Sequence, residues 1–95
     1  MRLFALPDSQ AHGARIASAL GITLSKLEFR GFSDGESKIR PLCDVANDHV
    51  CIIQSLYDGP DHSVHDKLCI LLFLIATMRD HGARRVTVLG PFLCY

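Results

Sequence analysis

Two β-branched runs separated by a helix-length apolar pattern constrain the fold more than any other feature of the chain. His49 to Gln54 (His-Val-Cys-Ile-Ile-Gln) is the most β-branched run, and Arg84 to Gly90 (Arg-Arg-Val-Thr-Val-Leu-Gly) is another. Between them Leu68, Leu71, Leu72, Ile75, Ala76 and Met78 recur at helical spacing, with Ser63 as a capping hydroxyl and Gly82 at the stop. The spacing predicts a helix from about Val64 to Asp80. Strands joined by such a helix run parallel with a right-handed crossover. Parallel strands are covered on both faces, so His49–Gln54 is expected to be central, and Arg84–Gly90 to be another buried strand.

The first half repeats the alternation. Arg2 to Leu6 reads as a short buried strand, and Asp8 or Ser9 supplies an N-cap oxygen for a helix to about Leu20, ended by Gly21. In that helix Ala11, Ala14, Ile16, Ala17, Ala19 and Leu20 form a small-residue apolar face suited to close packing on a sheet. Lys26 to Phe32 alternates with a period of two, a half-buried strand, and Asp34-Gly35 is a strong hairpin turn signal. The return run, Glu36 to Leu42, contains Pro41, which places it at the rim of the sheet. Val45 to Asp48 reads as a polar turn and Leu56 to Ser63 as a loop.

The order is strand, helix, hairpin, strand, helix, strand. It specifies an α/β domain over residues 1–95: a three-layer sandwich with a mostly parallel sheet of about five strands and a protruding edge hairpin. The hairpin belongs beside the first strand on one side, with the later strands on the other. Ligands of such sheets bind beyond the carboxyl ends of the strands. That rim is Leu6 to Ser9, Ser55 to His62, and Gly90 to Tyr95.

Composition excludes several classes of function. Ten basic and ten acidic residues balance, so no sequence-independent attraction to nucleic acid is implied. The longest apolar run, Leu68 to Ala76, falls short of the about 20 residues that span a bilayer. Met1 to Leu6 is followed by Pro7, Asp8 and a helical pattern without a cleavage site, which argues against a secretory signal. Cys43, Cys51, Cys69 and Cys94 form no CxxC pair and are mostly embedded in Val, Ile and Leu, as expected of small buried thiols in a cytosolic protein.

Nucleotide and catalytic signatures are few. Neither GxGxxG nor a Walker A sequence is present. His62 and His65 have a spacing compatible with one metal face, but no third ligand is fixed nearby, and a solvated capping region explains them better. His12, His49 and His81 fit exposed positions, Arg84 and Arg85 a solvated strand start, and Ser9 has no base of predictable geometry beside it.

The hairpin tip carries more than a turn requires. Phe32-Ser33-Asp34-Gly35-Glu36 sets an aromatic and two carboxylates on a projecting ribbon. Asp34 and Glu36 can simply solvate a turn. The functional reading gives Phe32 a stacking face for a planar base, and a carboxylate the exocyclic amine. A ribbon cannot enclose such a ligand, so it would reach into another subunit's pocket.

These residues, with Val50-Cys51-Ile52-Ile53-Gln54-Ser55, Asp66-Lys67-Leu68, Gly82-Ala83-Arg84-Arg85-Val86-Thr87 and Pro91-Phe92-Leu93-Cys94-Tyr95, resemble the N-terminal domain of the ribose-phosphate pyrophosphokinase family over nearly the whole chain. The resemblance implies a phosphoribosyltransferase-like N-terminal domain of a cytoplasmic homo-oligomeric enzyme that uses Mg2+. Its reaction moves the pyrophosphoryl group of ATP to the C1 hydroxyl of ribose 5-phosphate, giving phosphoribosyl pyrophosphate and AMP. It further implies that Phe32, Asp34 and Glu36 contact adenine bound mainly to a neighbouring subunit. The Arg-Gln-Asp segment that holds ATP, the metal-binding His and Asp, and the ribose-phosphate loop follow the position of Tyr95 in that family. The 95 residues alone are therefore expected to be inactive.

Two departures from the family pattern are a longer loop after Ser55 and Ile70 where an acid is common. They leave room for a second reading, a non-catalytic assembly or regulatory subunit of the same family. A flavodoxin-like or receiver domain shares the alternation of strands and helices, but lacks the Asp34-Gly35 hairpin.

Overall fold

The computed structural model describes residues 1–31, 37–56 and 63–90. In chain order the elements are β1 (Arg2–Ala5), a 3-10 turn (Pro7–Ser9), α1 (Gln10–Leu20), β2 (Leu27–Gly31), β3 (Ser37–Pro41), β4 (His49–Ile53), α2 (Val64–Asp80) and β5 (Arg85–Leu89). β1, β4 and β5 form a parallel sheet in that spatial order, with Leu3 opposite Cys51 and Cys51 opposite Thr87. β2 and β3 pair antiparallel as a separate ribbon, Phe29 opposite Ile39. The five expected strands are thus divided three and two, and the hairpin is not part of one continuous ladder.

The link between the sheets is short. Leu24 bridges Leu3 in parallel fashion, and the Ser25 amide donates to the Leu3 carbonyl at 2.8 Å. This contact puts the approach to the hairpin beside β1, while β4 and β5 lie on its other side, as the sequence predicts. Pro41 closes β3 opposite Leu27, at the end of the ribbon, where its missing N–H costs least.

Strand alternation divides the core between two layers. Leu3, Ala5 and Ile53 face α1 and meet Ala17, with Ile16 and Leu24 packed around them. Phe4, Leu6, Val50 and Ile52 face α2 and meet Leu71, Leu74 and Met78, and Leu27 and Ile39 bring the hairpin onto the same side. β4, flanked by β1 and β5 and covered on both faces, is the central strand expected. β5 departs from expectation: Val86 is half-buried, but Arg85, Thr87, Val88 and Leu89 are exposed. It is the edge strand of the described sheet, touched by the core through Val86 alone.

The helices sit where their small and capping residues place them. Gly13 and Ala17 are the buried positions of α1, while Leu20 is 56% exposed, so its contact face is narrower than the alanine pattern implies. A methyl on Gly13 would lie 2.6 Å from the Ala5 Cβ, which is why this turn can approach β1 closely. Gly21 ends α1 at φ 69°, with its amide donating to Ser18. α2 begins with a reciprocal capping box between Ser63 and Asp66. It buries Lys67, Leu71, Leu74 and Met78, whereas Leu72 and Phe73 are 56% and 68% exposed, so Leu72, a member of the apolar repeat, lies off the core face.

The segment before β4 is less polar than its sequence suggests, since Val45 is fully buried in the α2-side core. Asn47 takes φ 59°, a left-handed conformation that asparagine tolerates, and its amide donates to Gly82. Among the described cysteines, all free, Cys43 and Cys51 are partly buried and Cys69 is exposed, so the expectation of buried thiols fails at Cys69. Burial pushes the Cys51 thiol up.

Candidate functional site

Two regions carry the polar groups that the fold gathers: the carboxyl-end rim of β1 and β4, and the outer face of the hairpin. At the rim, the chain leaves β1 through the Leu6 amide bond to Ile53 and turns at once, the Ser9 amide donating to Leu6. The turn aims Asp8 at the first turn of α2, where the Lys67 ammonium meets its carboxylate at 2.6 Å. Lys67 is almost wholly buried and Asp8 about one-third exposed, so the pair spans the boundary between core and solvent. Beside it the Ser9 hydroxyl donates to the Gln54 side-chain oxygen at 3.1 Å, both residues buried.

The N-cap expectation for Ser9 fails here in an informative way. Ser9 stands at the N-cap of α1, but its side chain makes no cap bond and ties β4 to β1 instead. The Gln10 side chain, rather, donates back to the Ala5 carbonyl. Ser9 Oγ therefore faces an amide oxygen, which cannot take its proton, and this residue is not an activated nucleophile.

Lys67 and Gln54 lie in family-like stretches, yet their roles were missed in the sequence. For Lys67 a signal existed: it precedes Leu71, Leu74 and Met78 at helical spacing and so falls on the core face. A buried ammonium requires a counter-charge, and Asp8 supplies one at the rim. The Ser9–Gln54 contact joins residues 45 positions apart and had no local signature.

On the hairpin, register sets Glu28 opposite Arg40 and Arg30 opposite Lys38. The Glu28 carboxylate receives Arg40 Nε at 2.8 Å, with Lys38 Nζ at 3.4 Å and Arg30 Nε at 3.9 Å. The Arg40 hydrogen bond, and then the neighbouring charges, hold its carboxyl below the usual carboxylate range despite partial desolvation. The outer face of the ribbon is thus cationic around a single carboxylate. Phe32, Asp34 and Glu36 lie outside the described residues.

The remaining candidates separate. His49 Nε2 lies 2.8 Å from Thr87 Oγ1, a bond between neighbouring strands, and His12 lies near Arg15 on α1. Arg84 and Arg85 are exposed where β5 begins, the Arg84 amide donating to Asp48. His65 stands in the first turn of α2, and His62 lies outside the described residues. Among the described residues no three His, Cys, Asp or Glu side chains converge on a metal position. Nor is any helix among them long and apolar enough to cross a membrane.

A parallel open sheet with a helix on each face, and an antiparallel ribbon at its β1 side, defines an α/β domain whose ligands belong at the carboxyl ends of its strands. Residues 1–95 match the family model described as the N-terminal domain of ribose phosphate pyrophosphokinase, and the chain belongs to that family. It is 32% identical over its full length to "Ribose-phosphate pyrophosphokinase 1" of Streptococcus pyogenes serotype M3. It is 36% identical to "Putative ribose-phosphate pyrophosphokinase 1" of Enterococcus faecalis. The chain spans 28% of the length of each of these relatives. The crystal structure of phosphoribosylpyrophosphate synthetase from Mycobacterium smegmatis superposes on 99% of this chain and 30% of its own, with a TM-score of 0.87 at 24% identity, and supports the fold.

Proposed function

We propose that this chain is the N-terminal domain of a cytoplasmic ribose-phosphate pyrophosphokinase. In that enzyme the pyrophosphoryl group of ATP passes to the C1 hydroxyl of ribose 5-phosphate, giving phosphoribosyl pyrophosphate and AMP. The match of the family model to all of residues 1–95 is the observation that carries this reading. In it, Phe32 stacks on adenine while Asp34 and Glu36 accept hydrogen bonds from it, the hairpin reaching into the site of a second copy. The paired strands Leu27–Gly31 and Ser37–Pro41 supply a support for such a projecting tip.

The rim residues have a positioning role in this reading. Asp8, Lys67, Ser9 and Gln54 fasten the starts of α1 and α2 to the ends of β1 and β4. The Asp8 carboxylate answers the Lys67 charge, and the Gln54 side-chain oxygen accepts from Ser9. Among the described residues no three His, Cys, Asp or Glu side chains gather into a metal site. The catalytic groups then belong to sequence beyond these 95 residues, which alone would not turn over.

The test uses an active protein containing this domain. Phe32→Ala is expected to raise the KM for ATP by an amount consistent with one lost stacking contact, roughly 1 to 3 kcal/mol. Mixed oligomers, one copy lacking Asp34 and Glu36 and the other lacking a later catalytic group, should recover part of the activity if the hairpin acts in trans. ATP kinetics unchanged by Phe32→Ala would overturn the adenine role. Absence of pyrophosphoryl transfer from the protein containing this domain would overturn the enzymatic reading in favour of a non-catalytic subunit.

A further inference from the structure

The outer half of the hairpin sets like charges face to face. Arg30 stands opposite Lys38 in the antiparallel register, and Arg40 follows Lys38 on the same face of the ribbon. Cations directly opposite each other destabilise a strand pair, and both of these side chains are exposed, so the core holds neither. Glu28 offsets the repulsion. Its carboxylate lies across from Arg40 at 2.8 Å, diagonal to Lys38 at 3.4 Å, and two residues before Arg30 at 3.9 Å. The Glu28 side chain is 19% exposed and those of the three cations 50% to 65%, so the acid is the inner member of the group.

The place of this carboxylate in the fold decides what it holds. The base of the ribbon is fastened by other means: Leu27 and Ile39 pack on the α2-side core, Leu24 bridges Leu3, and the Leu42 amide donates to the Lys26 carbonyl at 3.0 Å. Toward the turn the register continues as Arg30 opposite Lys38 and Gly31 opposite Ser37. A glycine brings no side chain to pack, which weakens that end of the ladder. The outer half of the ribbon therefore depends on the Glu28 contacts more than the base does.

We infer that Glu28 is a positioning residue for the hairpin tip. By joining Arg30 and Lys38 across the ribbon, it fixes the two arms from which the turn projects, and so sets the affinity for a nucleotide it does not touch. The inference rests on the adenine reading proposed above. A cationic face that itself held nucleotide phosphates would bind them better once Glu28 lost its charge, so the two roles open to this face differ in sign.

In an active protein containing this domain, Glu28→Gln is expected to raise the KM for ATP about threefold or more at unchanged kcat, because three ion contacts are lost and the like-charge pair is left unopposed. The ratio of variant to parent KM should shrink in high salt, which screens attraction and repulsion alike. The charge-swapped variant Glu28→Lys/Lys38→Glu again sets one carboxylate among three cations on this face, and should recover most of the parent KM. Hydrogen exchange of the unliganded protein should quicken at the β2 and β3 amides of Glu28→Gln while β1 and β4 keep their protection, which separates loosening of the ribbon from loss of the fold. A KM raised by Phe32→Ala but not by Glu28→Gln overturns the role of Glu28 and leaves the adenine reading standing. A KM indifferent to both substitutions overturns the two together. A KM lowered by Glu28→Gln overturns the inference by assigning the cations to the phosphates, and a charge swap that recovers nothing overturns it by showing that the carboxylate does not act through its neighbours.

Discussion

The Lys67 ammonium lies 2.6 Å from the Asp8 carboxylate, tying the first turn of α2 to the turn that leaves β1. Lys67 is the buried partner and Asp8 the partly exposed one, which makes the pair asymmetric to mutation. Asp8→Ala strips a counter-charge from an ammonium that cannot return to water, whereas Lys67→Met replaces the ion with apolar volume among Leu71, Leu74 and their neighbours. The expected cost of Asp8→Ala is about 1–3 kcal/mol, discounted for its exposure, and that of Lys67→Met is smaller. Urea denaturation of the two variants decides it, and a larger loss in Lys67→Met would show the charge itself to be stabilising.

Gly13 packs on Ala5 with no room for a methyl, since the added Cβ would sit 2.6 Å from the Ala5 Cβ. Helix propensity favours Gly13→Ala by about 1 kcal/mol, and overpacking opposes it by about 1–3 kcal/mol. Net destabilisation is expected. Ala5→Gly removes the obstructing methyl, so the double variant Ala5→Gly/Gly13→Ala should be more stable than Gly13→Ala alone, as read from thermal midpoints. Additive losses would place the strain elsewhere.

The elements were legible in the chain because period and punctuation agree locally: Ser63, Gly82 and the apolar spacing bound α2 at Val64–Asp80, as the structure has it. β4 was legible as the central strand because Val50, Ile52 and Ile53 are apolar on both faces. β5 was misread for the same reason, since Val86, Val88 and Leu89 look identical in a sequence whether or not anything covers them. Leu72 belongs to the apolar repeat yet is exposed, because α2 is apolar on more than one face and periodicity alone does not say which face the sheet takes. Of the candidate site, the tip residues Phe32, Asp34 and Glu36 are proposed from their chemistry and the family resemblance and lie outside the described residues, while Ser9–Gln54 and Asp8–Lys67 depend on contacts between distant segments.

The hairpin should lose stability on acidification through Glu28. Its folded pKa lies below the ordinary carboxylate value, held there first by the Arg40 hydrogen bond. The contribution is therefore fully present above the unfolded carboxylate pKa and is lost as pH falls through the depressed folded value. Asp48 adds the same sign, through the N-terminal ammonium and the His49 amide. Urea midpoints followed from neutral pH into the acid range should fall less steeply in Glu28→Gln than in the parent, and less steeply in high salt. A slope unchanged by Glu28→Gln would remove this carboxylate from the acid response.

Ser9 and Gln54 form a buried polar pair, 6% and 2% exposed, in which each side chain answers the other. Among the described residues no buried side-chain nitrogen or oxygen lacks a hydrogen-bond partner, so removing one member of this pair creates a defect where none exists. Gln54→Leu leaves the Ser9 hydroxyl in an apolar surround without its acceptor, and Ser9→Ala leaves the Gln54 oxygen without that donor. Each should cost about 1–3 kcal/mol, chiefly as desolvation not repaid by a bond. The double variant Ser9→Ala/Gln54→Leu removes both polar groups together and should cost less than the sum of the singles by about 1 kcal/mol or more. Guanidinium denaturation of the four proteins gives the coupling directly. If the losses simply add, the hydroxyl and the amide act independently, and the bond between β1's exit and the end of β4 does not hold the rim together.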